Sequence, residues 1–292
     1  MNARHGNEPG VSFYTHLSDK YGPFHTKVIA ATAGEAPHVL DGLLYHQSGL
    51  VIEEQAVDTG GASDHVFGLM PFFGYGFAPR LRDLKDRRLH LPPALIIDPL
   101  LAPMIDAGHP IDVTHVAQHW DKLLRMATSI RSGTITASAM LKRLSAYPRQ
   151  NDLAVALREV GRLERSVFML NWLRDLDLRR RTQTGLNKGE ARNALARAIF
   201  FCQLGELRDR TFENQAYRAS GLNLVVAAVI LWNTRYLSLA ALISAWTPIM
   251  RHIAPLGWEH LSLTGDYAWD GPGQPAPGEI RPLRTKPSLL AA

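Results

Sequence analysis

Asp58 is the carboxylate whose setting most clearly permits chemistry. It follows an apolar stretch, residues 50–57, that predicts a β-strand, and it precedes Thr59-Gly60, which is typical of a turn. A carboxylate at a strand end is held by the backbone and stays open to substrate, so it is well placed to bind a metal. The alternative is structural, because Asp before Thr-Gly is common simply as a turn former.

Glu190 is the second candidate, on a helix that we expect to begin at Asn187 and to continue to residue 201. Asn193 and Arg197 follow it at three and seven residues, so they share its helix face. An acid, an amide and a guanidinium together form a polar stripe that suits a metal and phosphate role. The alternative is a capping box, with Asn187 as the N-cap and Glu190 as the third helical residue.

Other motifs give weaker signals. His115 and His119 are four residues apart on a predicted helix, as helical zinc ligands can be, but no third-ligand signature accompanies them. Asp-Thr-Gly is also the triplet of aspartic proteases, yet it occurs once here and those all-β enzymes need two such Asp residues. No GxxxxGK[ST] loop or GxSxG motif is present, and Cys202 has no base near it in sequence.

Basic residues are concentrated between residues 174 and 218. The chain has 32 Lys and Arg against 27 Asp and Glu, and 25 of the basic residues are Arg, whose planar fork fits phosphate oxygens. Ten basic and six acidic residues lie in this segment, which indicates a nucleic-acid partner. The alternatives are a solvated helix face and a GC-rich genome. The candidate DNA-binding residues are Arg179, Arg180, Arg181, Lys188, Arg192 and Arg197.

The elements that must position these residues change in type near residue 92. Upstream, the pattern predicts a hairpin, a helix, a strand, a helix capped by Ser63 and a short strand, which indicates a mixed sheet flanked by helices. These elements are expected at residues 11–18, 24–31, 35–46, 50–57, 63–73 and 77–81. Downstream, only helices are predicted, at residues 113–130, 136–146, from 152, at 187–201 and at 222–246. In the helix from residue 152 we expect one apolar face, formed by Leu153, Leu157, Val160, Val167, Leu170 and Leu173.

Composition excludes several classes of protein. The 292 residues are 46% hydrophobic and 20% charged, with 23 Gly and 18 Pro, so the chain is not collagen-like, fully disordered or a disulfide scaffold. A single cysteine and a polar start at residues 1–10 predict a cytoplasmic protein without a secretory signal. The apolar run 222–232 is too short for a membrane span and predicts a buried core helix. Residues 269–292, rich in Pro and Gly, predict a disordered tail.

Several long strings, in a fixed order, carry more information than either acid alone. They are FYTHLSD (13–19), HTKVI (25–29), HVLDGLLYH (38–46), DTG (58–60), SDHVF (63–67), FAPR (77–80), YPRQN (147–151), GLNKGEARNAL (185–195), YRASGLNL (217–224) and PLGWEH (255–260). Together they resemble the C-terminal catalytic part of the large replicative transposases of the Tn-three (class II) transposon family. The resemblance extends from about residue 4 to residue 269.

The resemblance implies a ribonuclease-H-like fold with an Asp-Asp-Glu triad, interrupted by a helical insertion before the Glu-bearing helix. It assigns the second catalytic Asp to Asp58 and the catalytic Glu to Glu190, both as ligands of a two-Mg²⁺ site. Such enzymes hydrolyse a phosphodiester at the transposon end and attack target DNA with the freed 3′-hydroxyl. The first Asp of the family lies on a strand upstream of the hairpin, and residues 1–10 hold no counterpart of it.

The implied organisation has four parts. They are a partial ribonuclease-H-like core at 1–91, a helical insertion at 92–184, the Glu-bearing and C-terminal helices at 185–268, and a tail at 269–292. The chain is expected to be an N-terminally truncated catalytic part, inactive alone, that binds transposon-end and target DNA at the nucleoid. A further copy or a full-length transposase is an expected partner, and a membrane is not. The alternative is a non-catalytic DNA-binding or assembly module that interferes with a full-length transposase.

Overall fold

The computed structural model describes residues 11–31, 33–93, 95, 97–146, 151–200, 211–240 and 253–257. Within these ranges the architecture is mixed α/β, mostly helical with small sheets. The chain divides into two compact units, residues 1–190 with 210–220, and residues 191–209 with 221–292. The four-part organisation expected from the sequence stays a prediction, and its tail at 269–292 lies outside the described residues, as does Cys202.

The first unit begins with the predicted β-hairpin. Strand β1 (Val11–Leu17) pairs antiparallel with β2 (Pro23–Ala30), and Val11 lies opposite Ala30. Tyr21 adopts a left-handed backbone, with φ 68°, in the turn between them. The hairpin prediction is therefore confirmed.

A βαβ unit follows and carries Asp58. Strand β3 (Glu54–Val57) lies parallel to β4 (Gly76–Pro79), and helix α2 (Asp64–Phe73) connects them. As predicted, Ser63 caps this helix, because its Oγ accepts a hydrogen bond of 3.3 Å from the N–H of Val66. Gly74, at φ 79°, ends it.

The expectation of one mixed sheet is not met within the described residues. The hairpin and the β3–β4 pair form two separate two-stranded sheets. The predicted strand 50–57 also begins only at Glu54, and Val51 is 90% exposed. The Glu53 carbonyl accepts a hydrogen bond of 2.7 Å from the Gly76 N–H, so the pairing with β4 starts at the carbonyl of the residue before β3.

Helices make up most of the remaining described residues of both units. Their bounds are α1 (Val39–Leu44), α3 (Val113–Gln118), α4 (Trp120–Arg131), α5 (Ala137–Ala146), α6 (Asp152–Arg174), α7 (Leu176–Ile199) and α8 (Phe212–Ala240). The single helix predicted at 113–130 is therefore wrong. The backbone leaves helical geometry at His119 (φ −109°, ψ 9°), which separates α3 from α4.

Helix α7 also begins eleven residues earlier than the sequence analysis expects, so the capping box at Asn187 is wrong. Asp175 supplies the N-cap, because its Oδ1 accepts hydrogen bonds from the N–H groups of Asp177 (2.8 Å) and Leu178 (3.1 Å). Asn187 lies in the helix interior, and its side chain accepts a hydrogen bond from Gln183. Glu190 is therefore near the middle of a long helix rather than in a first turn.

The core of the first unit is built around α2 and α6, which pack closely. Leu69 and Leu157 are fully buried between them and their neighbours. Glycines allow the approach, since a Cβ on Gly68 would lie 2.6 Å from the Leu157 carbonyl oxygen and one on Gly161 would overlap the Asp64 carbonyl. The predicted apolar face of α6 is consequently wrong in part, because Val167 and Leu173 are exposed. The buried stripe comprises Ala154, Leu157, Gly161, Phe168, Met169 and Trp172.

The described part of the second unit contains the end of α7, most of α8 and residues 253–257. The side chain of Asn233 donates hydrogen bonds to the carbonyls of Pro255 (3.1 Å) and Gly257 (2.9 Å). Val226 is buried, whereas Leu224 is 73% exposed, so α8 is not the fully buried helix predicted from its apolar sequence. None of the described helices combines the length and apolar character that crossing a bilayer requires.

Candidate active site

Asp58 lies immediately after β3, at the edge of its sheet, and its carboxylate is about half exposed. Its Oδ1 accepts hydrogen bonds from the Thr59 N–H (2.7 Å) and from Nε and Nη2 of Arg80 (3.1 and 2.9 Å). Nη2 of Arg82 lies 3.5 Å from Oδ2. Both carboxylate oxygens therefore face a guanidinium group.

The parallel pairing of β3 and β4 explains this contact. Val57 lies opposite Pro79, and the Arg80 N–H donates to the Val57 carbonyl at 2.9 Å, so Arg80 and Asp58 leave the sheet side by side. Partial burial opposes ionisation of Asp58, but the hydrogen bonds from Thr59 and Arg80 prevail and lower its pKa. Asp58 is consequently ionised at neutral pH.

Helix α7 runs along β3 in the same direction as the strand. Near the start of the strand, Nη2 of Arg181 lies 3.3 Å from Oε1 of Glu54. Four residues on, a Cβ placed on Gly185 would lie 3.3 Å from the Cβ of Ala56. Four helical residues rise about 6 Å and two strand residues about 6.6 Å, so the two elements stay in step.

This register brings Gly189 level with Asp58. Both residues line one cavity of about 700 Å³, which β1, β3 and α7 enclose. Glu190 directly follows Gly189 and is exposed, but it does not itself line the cavity. The structure thus places Asp58 and the helical residue before Glu190 at one cavity, whereas Glu190 itself lies outside the lining.

The cavity holds more acidic than basic side chains. The acidic ones are Asp19, Glu35, Glu54, Asp58 and Asp177, and the basic ones are Arg180, Arg181 and Lys188. An excess of carboxylates attracts cations and repels phosphates. The interior of the cavity therefore suits a metal ion better than a DNA backbone.

The predicted DNA-binding residues of the first unit differ in exposure. Arg180 and Arg181 are largely exposed and form ion pairs with Asp177 (3.4 Å) and Glu54 (3.3 Å). Lys188 donates to the Asp19 carbonyl at 2.7 Å and lies 5.4 Å from the centre of the Tyr21 ring. Arg179 is partly buried.

The two predicted DNA-binding residues of the second unit also differ from each other. Arg197 is exposed, whereas Arg192 is only 3% exposed. Arg192 donates hydrogen bonds to the side-chain oxygens of Asn193 and Asn223. Burial lowers the pKa of Arg192 to about 10, so it remains charged at neutral pH but does not offer its guanidinium to solvent.

The structure assembles two groups of polar residues that the sequence pattern does not predict. Arg80 appears in a matched string without an assigned role, and its pairing with Asp58 depends on the register of β3 and β4. Asp152 lies beside His115 and His119. The three residues form the group of three potential metal ligands found among the described residues. Asp58 and Glu190 belong to no such group in that part of the chain.

Comparison with known proteins places the chain in a family. The model of the Tn3 transposase DDE domain matches residues 1–267, which is most of the chain. The chain belongs to the Tn3 transposase DDE-domain family. The resemblance deduced from the sequence strings is therefore confirmed.

Similar proteins are transposases from several bacteria. The chain is 54% identical to the transposase for transposon Tn21 of Escherichia coli and to that for transposon Tn501 of Pseudomonas aeruginosa, in each case over 97% of the chain. It is 42% identical to the transposase for transposon Tn1546 of Enterococcus faecium, also over 97% of the chain. The matches cover 29% of each of these three relatives, so the chain spans less than a third of their length.

Proposed function

We propose that the chain is the catalytic part of a DNA transposase, which cleaves a strand at a transposon end and joins the freed 3′ end to target DNA. The observation that supports this best is the register between α7 and β3. Along this register Gly189 and Asp58 line one cavity, and Glu190 directly follows Gly189, although 131 residues separate Asp58 from Glu190 in the sequence. Relatives that are 54% identical to this chain over 97% of its length are named as transposases.

A ribonuclease-H-like arrangement of the sheets is part of this proposal. In the described residues β1 pairs on one side only, with β2, and β3 on one side only, with β4. The cavity is lined by consecutive residues 14–19 at β1 and 54–58 at β3, as expected where strand edges rather than faces meet a space. One further strand placed in this cavity would pair with both β1 and β3. It would join the two strand pairs into a single five-stranded mixed sheet.

A strand in this position could also bring a third carboxylate to the site. Adjacent strands are about 4.8 Å apart, so an Asp on a strand beside β3 would lie close to Asp58. Two Mg²⁺ ions bound between shared carboxylates are about 3.5–4 Å apart, which this spacing permits. We infer that the first acid of the triad enters the site on such a strand.

The described residues alone do not make a complete magnesium site. The carboxylate oxygens of Asp58 are ligands of the kind that Mg²⁺ prefers, but they face Arg80 and Arg82. Neither Asp58 nor Glu190 belongs to a group of three potential ligands in that part of the chain. Bound Mg²⁺ would supply charge stabilisation for phosphoryl transfer. What the chain itself contributes is an ionised Asp58, held in place by the Thr59 N–H, and an exposed Glu190 on the helix that lines the same cavity.

A second function is favoured by the ion pairs of Asp58. With its carboxylate neutralised by Arg80 and Arg82, the chain is equally suited to act as a non-catalytic DNA-binding or assembly module. Such a module would interfere with a full-length transposase by co-assembly. The two functions differ in whether Asp58 and Glu190 are needed.

Strand transfer of a labelled, pre-cut transposon end distinguishes them. A version extended upstream by a strand that carries a further Asp is expected to join the labelled end to target DNA with Mg²⁺, and the 292-residue chain is not. Carboxylates that share metal ions act as a unit, so Asp58→Asn or Glu190→Gln should each lower joining by the extended version by about 10³-fold or more.

Asp177→Asn is the matched control, since Asp177 lines the same cavity but is an exposed partner of Arg180. It should leave joining within about twofold. Joining by the 292-residue chain alone would show that its own residues complete the triad. Joining by the extended version that survives Asp58→Asn or Glu190→Gln would remove the catalytic assignment.

A further inference from the structure

His115, His119 and Asp152 come together where α3 meets the start of α6. The ligand atoms of the three side chains lie within 4.8 Å of one another. The two histidines lie on one helix and its C-cap, four residues apart, whereas Asp152 is 33 residues further along the chain. Tertiary packing of α3 on α6, rather than sequence proximity, therefore assembles the group.

The hydrogen bonds of His119 prepare it as a metal ligand. Its Nδ1 lies 3.0 Å from the His115 carbonyl oxygen, and since a carbonyl only accepts, Nδ1 carries the proton. Nε2 then presents its lone pair, in the arrangement by which a metal-bound histidine donates its other N–H to a backbone carbonyl. The side chain of His119 is only 12% exposed, so its orientation is fixed by packing as well.

The distance between ligand atoms fits a tetrahedral ion. Nε2 of His119 lies 3.5 Å from Oδ2 of Asp152. Two ligands bound to zinc at about 2.0–2.1 Å and at the tetrahedral angle are about 3.4 Å apart. Nε2 of His115 lies 3.1 Å from the Asp152 carbonyl oxygen and by the same argument carries the proton, so Nδ1 is the nitrogen with which His115 would bind the ion.

The chemistry of the donors selects the metal. Two imidazoles and one carboxylate suit zinc, whereas Mg²⁺ prefers oxygen ligands alone. Asp152 is 67% exposed, so solvent can reach the group and supply a fourth ligand. We propose that His115, His119 and Asp152 bind one Zn²⁺ ion that ties α3 to the first turn of α6.

This site is separate from the proposed DNA chemistry, because none of its three residues lines the cavity at Asp58. A zinc ion that binds the folded chain and not the unfolded chain must stabilise the fold. The ion would link α3 to the first turn of α6, which are separated in the sequence by α4 and α5.

Zinc titration of the tag-free 292-residue chain tests the proposal, with a chromophoric zinc chelator as competitor. One Zn²⁺ per chain should bind, and 100-fold excess over the dissociation constant should raise the melting temperature by about 5 °C or more. His119→Ala and Asp152→Asn should each weaken binding by about tenfold or more. Asp152→Asn leaves the N-cap intact, because Asn151 supplies it.

His109→Ala is the matched control. His109 also pairs with an aspartate, Asp106, at 3.2 Å, but the two have no third ligand in the described part of the chain. Its zinc affinity should equal that of the parent chain. Absence of a one-to-one zinc complex at micromolar concentration, or zinc binding that His119→Ala and Asp152→Asn leave unchanged, would show that the group is only a hydrogen-bonded ion pair.

Discussion

At the scale of single residues, His16 couples the hairpin to helix α1. Its ring is 2% exposed, its Nε2 lies 2.8 Å from the Val39 carbonyl oxygen, and a Cβ on Gly42 would overlap it. Burial lowers the pKa of His16 to about 4, with His25, Asp41 and His46 as its charged or titratable neighbours. The folded chain therefore holds this imidazole neutral at physiological pH.

The sign of the resulting pH dependence follows from linkage. The unfolded chain binds a proton at His16 near pH 6.5 and the folded chain only near pH 4, so stability is present above pH 6.5 and is lost as pH falls towards 4. Between pH 7 and pH 5 the loss should be about 2 kcal/mol. Urea unfolding at both pH values measures it. His16→Gln should reduce the pH effect by that amount, and an unchanged pH effect in this variant would show that His16 is not its source.

Asp58 shows what a sequence can and cannot reveal about a residue. Its place at a strand end is legible, because the apolar run stops there and a turn signal follows. Its two arginine partners are 22 and 24 residues away and reach it only through the register of two parallel strands. The sequence likewise does not reveal that Asp152 lies beside His115, because the packing of α3 on α6 makes that contact.

At the scale of elements, the contact between α2 and α6 depends on two glycines. A Cβ on Gly161 would overlap the backbone carbonyl of Asp64, and a backbone atom cannot rotate away as a side chain can. The ion pair between Arg165 and Asp64 spans the same contact. The close approach is therefore fixed by backbone geometry rather than by large apolar side chains.

Gly161→Ala should consequently destabilise the fold by about 3 kcal/mol or more, at the upper end of overpacking costs, because the helices must separate. Gly221→Ala is the control, since nothing lies within 4 Å of a Cβ at that exposed helical position. It should stabilise α8 by about 0.5–1 kcal/mol. Chemical denaturation of both variants measures the difference. Equal stabilities would contradict the close packing of α2 on α6.

Sequence patterns predicted the elements with strong local signals and missed those without them. The hairpin and the Ser63 cap have alternation and a capping side chain, and both are confirmed. The start of α7 was misplaced because residues 176–187 are polar and lack apolar periodicity, while the true cap at Asp175 resembles any surface acid. The apolar face of α6 was misjudged because glycine and alanine form much of it.

At the scale of the whole molecule, the carboxylates of the cavity at Asp58 and the exposed arginines occupy different places. The cavity at Asp58 has more carboxylates than basic groups, whereas Arg180 and Arg181 extend into solvent at its margin. Their ion pairs with Asp177 and Glu54 are exposed, and such pairs contribute little to stability. A DNA phosphate can therefore replace either acid as the partner of the guanidinium.

This arrangement predicts that Arg179, Arg180 and Arg181 bind DNA through phosphates with little sequence preference. Each phosphate contact releases counterions and contributes about 0.9 to the slope of log affinity against log salt. Replacing all three by Ala should reduce the slope by about 2, the partly buried Arg179 contributing least. Replacing Lys122, Arg125 and Arg131 on α4 removes the same charge from exposed positions and should change the slope by less than about 0.5. Equal slopes for both triple variants would show that the arginines at the cavity act only through net charge.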